Sequence, residues 1–363
     1  MKSKSNVVMA MEVVKVGRFL CNIDEIDKHE GCYVASKVYD ENGRLLLNLN
    51  YKISGKAKAA LKKQDIHIIW LSESPTKEAP DIDDKRLVSL KAKRSVLQGT
   101  FADVKKEVMM SRKRNKMNIS LSKKNIKKIE DSIDAILDQI IENPFVAATL
   151  EPLYNDADFL VKHSVNVTYF GLCMLANYPG VMDILKDEEK GMVRFEASRR
   201  INNKSFSLST FGMTCFLHDI GKIHILDIIG SEESYDANNE ETKEIWEQIK
   251  KHTIVGHDML FGKQINAHAL LGIKYHHENF DGSGYPFGVT GYKIHPFSRI
   301  IRVIDSFDAA IAKGPGRADK DFKTILGELL ALSGKYYDPE IVKYFIDLLL
   351  GGKSGLVSKG IIV

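Results

Sequence analysis

The sequence predicts a mainly α-helical protein, a helical bundle preceded by a small α/β N-terminal domain. Three observations lead there. Apolar residues recur at helical spacing through much of residues 126–350. Residues 1–75 instead carry short β-like runs broken by turn residues. The length of 363 residues fits two or three domains, at roughly 100–200 residues each. The chain is read as residues 1–75, a small α/β domain; 76–125, a basic linker with helices; 126–350, the helical domain; and 351–363, a tail.

In order along the chain, Cys32 to Tyr39 reads as a strand, and Asp40-Glu41-Asn42-Gly43 before Leu45-Leu46-Leu47 as a hairpin turn, because Asn-Gly supplies the positive φ angles of a type I′ turn. Ser54 is placed to cap a short helix through Leu61, and Ile66 to Leu71 reads as another strand. Residues 72–84, with Pro75 and Pro80, read as a linker. From Lys85 to Lys128 fifteen Lys and Arg face only two acids, Asp103 and Glu107. This is read first as a solvated helical face, with a patch for an anionic partner as the alternative. Few aromatic residues interleave these charges, which argues against nucleic acid as the partner.

Ile129, Ile133, Ile136, Leu137, Ile140 and Ile141 form one apolar helical stripe, a candidate dimer surface. Residues 187–207 are polar and basic and read as an insertion between two apolar helical stretches. Asp338-Pro339 opens a last helix with a buried face of Ile341, Val342, Phe345, Leu348 and Leu349, and Gly351-Gly352 stops it.

Composition excludes several classes. Apolar residues are 44% and charged residues 28%, which is not the balance of a disordered chain. The formal charge is only +4. Cys21, Cys32, Cys173 and Cys215 are scattered with no Cys-x-x-Cys pair, against a thiolate zinc site or a disulfide framework. No secretory signal pattern opens the chain, and no run reaches the ~18 apolar residues of a membrane span. The expected location is the cytoplasm.

The chemistry concentrates in His163, His218-Asp219, His252, His276-His277 and Asp305. Imidazole with carboxylate suits first-row transition metals. Seven such groups exceed the three or four protein ligands of one catalytic ion, but would serve two ions if Asp219 bridged them. His29, His67, His224, His257, His268 and His295 are read as ordinary structural or surface histidines. His257 lies five residues after His252, about 140° away around a helix.

Two strings give the seven groups a context: His218-Asp219-Ile220-Gly221-Lys222, and His276-His277-Glu278-Asn279-Phe280-Asp281-Gly282-Ser283-Gly284-Tyr285-Pro286. Together with His252 to Gly256, Arg299 to Asp305 and Asp338-Pro339, they resemble the HD-GYP family, a branch of the HD phosphohydrolases, over roughly residues 145–350. The N-terminal unit more loosely resembles a small domain that often precedes such cores, and is read as a regulatory or protein-interaction module.

The resemblance implies a helical domain whose binuclear metal centre hydrolyses cyclic di-GMP to pGpG, GMP or both by a metal-bridged hydroxide. Carried over by position, His163, His218, Asp219 and Asp305 would hold one ion; His252, His276 and His277 would hold the second, with Asp219 bridging. The implied ions are iron or manganese, with zinc the alternative. Where some relatives place a glutamate for a third ion, this chain has Phe159, which leaves Asp156 or Asp158 as the nearest substitutes. Lys222 would meet a substrate phosphate and Tyr285 would shape the guanine or phosphate site. Gly282 and Gly284 would let the loop approach the ligand, and Asp281 would orient His277 or contact guanine. Glu278 is left between these roles. An Arg-Pro-Tyr-Arg string common in the family is here Gly314-Pro315-Gly316-Arg317, so only Arg317 remains to meet substrate. The competing readings are a cyclic dinucleotide receptor with weak turnover, and a phosphodiesterase for cyclic GMP-AMP.

Overall fold

The computed structural model describes residues 18–40, 44–64, 66, 68–75, 84–113, 121–142, 159–178, 180–181, 207–229, 243–311 and 320–350. The helical body and the small α/β unit expected from sequence are both present. The short strands are β1 (Phe19–Asn22), β2 (Tyr33–Val34), β3 (Val38–Tyr39), β4 (Leu45–Leu47) and β5 (Ile68–Ser72). They form an antiparallel sheet ordered β1-β5-β2 and a separate β3-β4 hairpin. The run from Cys32 to Tyr39 is therefore two strands in two sheets. Helix α1 (Gly55–Lys63) follows Ser54, whose side chain makes no capping hydrogen bond, and runs two residues past Leu61.

Period-two alternation buries both faces of the larger sheet. Cys21, Val34, Ile69 and Leu71 meet Ile23, Ile26, Leu47, Ile53 and Leu61 in a small core. Leu20, Ala35, Ile68 and Trp70 turn the other way and join the main helical core. Trp70 meets Phe322 edge-on at 5.8 Å. The N-terminal unit is thus packed into the helical body through one face of its sheet.

Helices α2 (Asp84–Lys113) and α3 (Lys123–Glu142) pack as a pair. Leu97, Phe101, Val104 and Val108 bury with Ile129, Ile133, Ile136 and Ile140. Ile141 departs from the expected stripe and is 56% exposed, because it lies about 100° around the helix from Ile140. Several basic residues of this region are paired or buried: Lys128 meets Asp103 at 2.5 Å, Lys127 meets Asp131 at 2.9 Å, and Arg94 is buried. Lys127 and Lys128 are thus solvated and paired, whereas Arg94 is buried against Tyr169.

The remaining helices are α4 (Phe159–Asn177), α5 (Leu208–Leu217), α6 (Ile220–Ile229), α7 (Lys243–Lys250), α8 (His252–Leu260), α9 (Ala267–Tyr275), α10 (Pro296–Ile311), α11 (Phe322–Ala331) and α12 (Pro339–Leu349). α4 corrects the expectation about apolar stretches. Its 19 residues are long and apolar enough to cross a membrane, yet 83% of its most apolar window is buried within the protein. It is the central helix, packed on α5 and α10. Asp338 caps α12 by accepting from the Glu340 N–H at 2.9 Å, and its other oxygen pairs with buried Arg299. This joins α10 to α12 beneath the site.

Candidate metal centre

The seven histidines and acids singled out by sequence come together from five places in the fold. His163 lies in the first turns of α4, and His218-Asp219 form the corner between α5 and α6. His252 opens α8, His276-His277 end α9, and Asp305 lies within α10. The α6–α8 approach depends on Gly221: a Cβ there would stand 2.0 Å from the His252 carbonyl oxygen. No larger residue lets His252 reach Asp219.

Asp219 divides the cluster. Its Oδ2 lies 3.5 Å from both His163 Nε2 and His218 Nε2, while its Oδ1 lies 3.1 Å from His252 Nε2 and 3.5 Å from His276 Nε2. Two four-residue groups result, His163/His218/Asp219/Asp305 and Asp219/His252/His276/His277, and within each the donor atoms lie within 4.8 Å of one another. His163 Nε2 stands 3.0 Å from Asp305 Oδ1, and His277 Nδ1 stands 3.9 Å from Asp305 Oδ2.

The ring orientations fit cations. Nδ1 of His218, His252 and His276 each lies 2.7 Å from the backbone carbonyl three residues earlier, so each donates a proton there. His163 Nδ1 lies 2.7 Å from Asp308 Oδ2. The Nε2 atoms left facing inward lie 3.2 Å apart in the His163–His218 pair and 3.1 Å apart in the His252–His276 pair. In the His252–His276 pair, with Nδ1 protonated on both rings, two Nε2 lone pairs face one another, an arrangement that a shared cation relieves. Both Asp219 oxygens are buried, and besides the four imidazoles the Lys222 ammonium faces them, 2.9 Å from Oδ2. A buried carboxylate left this way requires positive charge.

Protonation agrees. Burial alone would raise Asp219 and Asp305, but neighbouring positive charge and imidazole contacts hold both well below the usual carboxylate range. Burial pushes His218 down to about 3, and lowers His276 and His277. These rings are neutral and able to ligate. His163 is the exception: burial opposes its protonation, but Asp305 and Asp308 raise it to about 10. That half of the site holds negative charge in excess.

Sequence reasoning missed Asp308. It is buried, binds His163 and accepts from Asn166 Nδ2 at 2.9 Å, so it fixes the ring of His163. The available signal was an acid three residues after Asp305 on an otherwise apolar helix face. Tyr285 stacks on His277 with centroids 4.7 Å apart and planes 23° apart. Phe159 stacks on His163 at 5.4 Å and offers no donor atom.

Three expectations for the loop change. Asp281 is exposed and its Oδ1 accepts from Ser283 N at 2.9 Å and Ser283 Oγ at 2.6 Å, so it shapes its own turn and does not orient His277. Gly284 is required by the protein itself: a Cβ there would lie 2.1 Å from the Asn279 nitrogen. Glu278 is buried and accepts from the N–H groups of Phe287 at 2.7 Å and Val289 at 3.0 Å, which ties the loop around Tyr285 together. His268 and His295 form a buried pair outside the centre, with ring nitrogens 3.0 Å apart. Arg317, Gly314 to Gly316, Asp156, Asp158, His67 and residues 187–206 lie outside the described residues.

Helices meeting around a His-Asp corner define an HD domain, and residues 183–341 match the HD domain family. That stretch holds six of the seven groups, all but His163. Residues 183–341 are thus similar to HD domains, and the relatives of the chain include proteins named cyclic di-GMP phosphodiesterases. It is 32% identical over 182 residues to a protein of Thermotoga maritima named cyclic di-GMP phosphodiesterase, covering 49% of this chain and 47% of that protein. It is 35% identical over 147 residues to the cyclic di-GMP phosphodiesterase response regulator RpfG of Xanthomonas campestris, covering 40% of this chain and 36% of that one. The chain thus spans about half or less of the length of these relatives. A 3'3'-cGAMP-specific phosphodiesterase of Vibrio cholerae is 31% identical over 134 residues, 36% of this chain and 24% of that protein. Among solved structures, Bd1817, a HDG"Y"P protein from Bdellovibrio bacteriovorus, shares the fold with a TM-score of 0.51 and 14% identity, over 92% of this chain and 99% of that one.

Proposed function

We infer that the chain is a metal-dependent phosphodiesterase that hydrolyses cyclic di-GMP. One observation carries the reading: Asp219 places one buried oxygen against each of two imidazole sets. His163, His218, Asp219 and Asp305 would hold one ion, and Asp219, His252, His276 and His277 the other. Two divalent ions there supply Lewis acidity toward a phosphodiester and lower the pKa of water. Hydrolysis adds water across a P–O3′ bond, giving a 5′-phosphate and a free 3′-hydroxyl; one cut yields pGpG and a second yields GMP. Lys222, whose side chain is 14% exposed, stands at the inner edge of the site and supplies positive charge to the phosphate being cleaved. Tyr285, half-buried against His277, orients the substrate beside that imidazole.

Iron or manganese is the expected ion, with zinc the alternative; an imidazole and carboxylate set accepts all three, and availability decides among them. Phe159, which offers no donor beside His163, supports two ions rather than three. The relatives named for cyclic GMP-AMP support a second substrate for the same site. Residues 1–75 act as a regulatory or interaction module in this reading, and the protein works in the cytoplasm; the α3 stripe expected as a dimer surface is buried against α2 within the chain, apart from Ile141. The test is metal analysis of anaerobically purified protein together with turnover of cyclic di-GMP and cyclic GMP-AMP. Two ions per chain and faster cyclic di-GMP cleavage are expected; tight binding of cyclic di-GMP without hydrolysis at full metal loading would leave a receptor instead.

A further inference from the structure

Arg302 lies on α10 one turn before Asp305, so the two side chains leave the same side of the helix. Its Nε donates to Asn279 Oδ1 at 3.0 Å, two residues beyond His277. Its Nη1 donates to Ser306 Oγ at 2.5 Å, and its guanidinium lies 5.4 Å from the centroid of the Tyr337 ring. An amide, a hydroxyl and a ring face are all neutral; among the described residues no carboxylate pairs with Arg302. Arg299, one turn earlier, shows the contrast, since it is buried against Asp338 and is structural.

A half-buried guanidinium held by neutral groups is oriented without being neutralised, and remains available to an anion from outside the protein. Its charge acts on both His277 and Tyr285, and Lys222 acts on Tyr285 as well. The Tyr285 ring therefore lies near three cations from different helices, Lys222 of α6, Arg302 of α10 and Lys250 of α7, the last of which is paired with Glu247. A cyclic dinucleotide carries two phosphodiester anions, only one of which is cleaved at a time.

We propose that Arg302 receives the phosphodiester that is not being cleaved, while Lys222 serves the one that is. This assignment rests on the cyclic dinucleotide reading given above. It makes Arg302 a substrate-binding residue that sets preference for a ligand with two phosphates over one with a single phosphate.

The test compares wild type, Arg302→Gln and Arg302→Lys as full chains loaded with manganese. The substrates are cyclic di-GMP and bis(p-nitrophenyl) phosphate, which has one phosphodiester. Arg302→Gln is expected to raise KM for cyclic di-GMP roughly tenfold or more, with kcat within about threefold. Its bound manganese and its turnover of the single diester stay at wild-type values, and Arg302→Lys recovers most of the loss. An unchanged KM in Arg302→Gln overturns the proposal; so does an equal loss on both substrates, which would mark a structural role. Wild type that cleaves the single diester but neither binds nor cleaves cyclic di-GMP would overturn the substrate reading, and the Arg302 assignment with it. If wild type binds cyclic di-GMP without turnover, calorimetric affinity carries the same comparison: weaker binding by Arg302→Gln supports the assignment, and equal binding overturns it.

Discussion

The two halves of the centre meet at one carboxylate but are built differently. The half on Asp219 Oδ2 adds a second acid, Asp305, and holds the His163 ring through a third, Asp308. The half on Asp219 Oδ1 adds only imidazoles, with His252 and His276 oriented by backbone carbonyls within their own chain segments. The first half therefore concentrates negative charge, which keeps His163 protonated up to about 10. The second carries rings that burial keeps neutral. Charge in the donor set governs how tightly a divalent ion is held, so the first half should be the retentive one and the second the exchangeable one.

Removing the shared carboxylate erases the distinction and has the largest expected effect. Asp219→Ala should lose both ions and lower turnover by roughly four orders of magnitude or more. Metal content and initial rates are the measurements, and retained metal with normal turnover would contradict the bridging role. Breaking one half at a time should reveal the asymmetry. His276→Ala should retain one ion per chain after dialysis, whereas His163→Ala should retain less than one, because only the retentive half was damaged. Equal retention in the two variants would show that the halves are equivalent.

What was legible in sequence follows the same division. His218-Asp219 and His276-His277 are adjacent in the chain, so their pairing survives without knowledge of the fold. Asp308 acts on a ring 145 residues away, and its one local signal is its place a turn after Asp305 on an otherwise apolar face. The helical body was legible from its stripes, while β1 is only four residues long and gains its identity from pairing with β5. Trp70 shows the same limit: β5 reads as an unbroken apolar run, but what covers its Trp70 face, Phe322 of α11, comes from far along the chain. Gly284 was readable as a loop residue and Gly221 carried no such signal, yet the requirement for each comes from backbone brought close by the fold, at Asn279 and His252.

Asp308 offers a finer test of the comparison, since it touches only the retentive half. Asp308→Ala should weaken retention of one ion by roughly ten- to a hundredfold, and leave the affinity of the second unchanged. Stepwise chelation followed by metal analysis measures both. A uniform loss from the two halves would mean that Asp308 supports the packing of α4 on α10 and has no selective hold on His163.

The smallest effect is expected beside the exchangeable half, at Glu278. This carboxyl is raised by burial, against the backbone N–H groups that favour its ionised form. Glu278→Gln keeps the shape and one acceptor, but a single amide oxygen replaces the two carboxylate oxygens that now serve Phe287 and Val289 separately. The folding cost should be about 1 kcal/mol, with metal content unchanged and KM raised a few-fold as Tyr285 loses its fixed position. Glu278→Ala leaves both buried donors unpaired and should cost about 2–3 kcal/mol, measured by denaturant unfolding of the metal-loaded chain. If the alanine variant instead released the ion of the His252 half, the loop would prove to be part of what holds that ion, and the contrast between a charge-built half and a loop-tuned half would sharpen further.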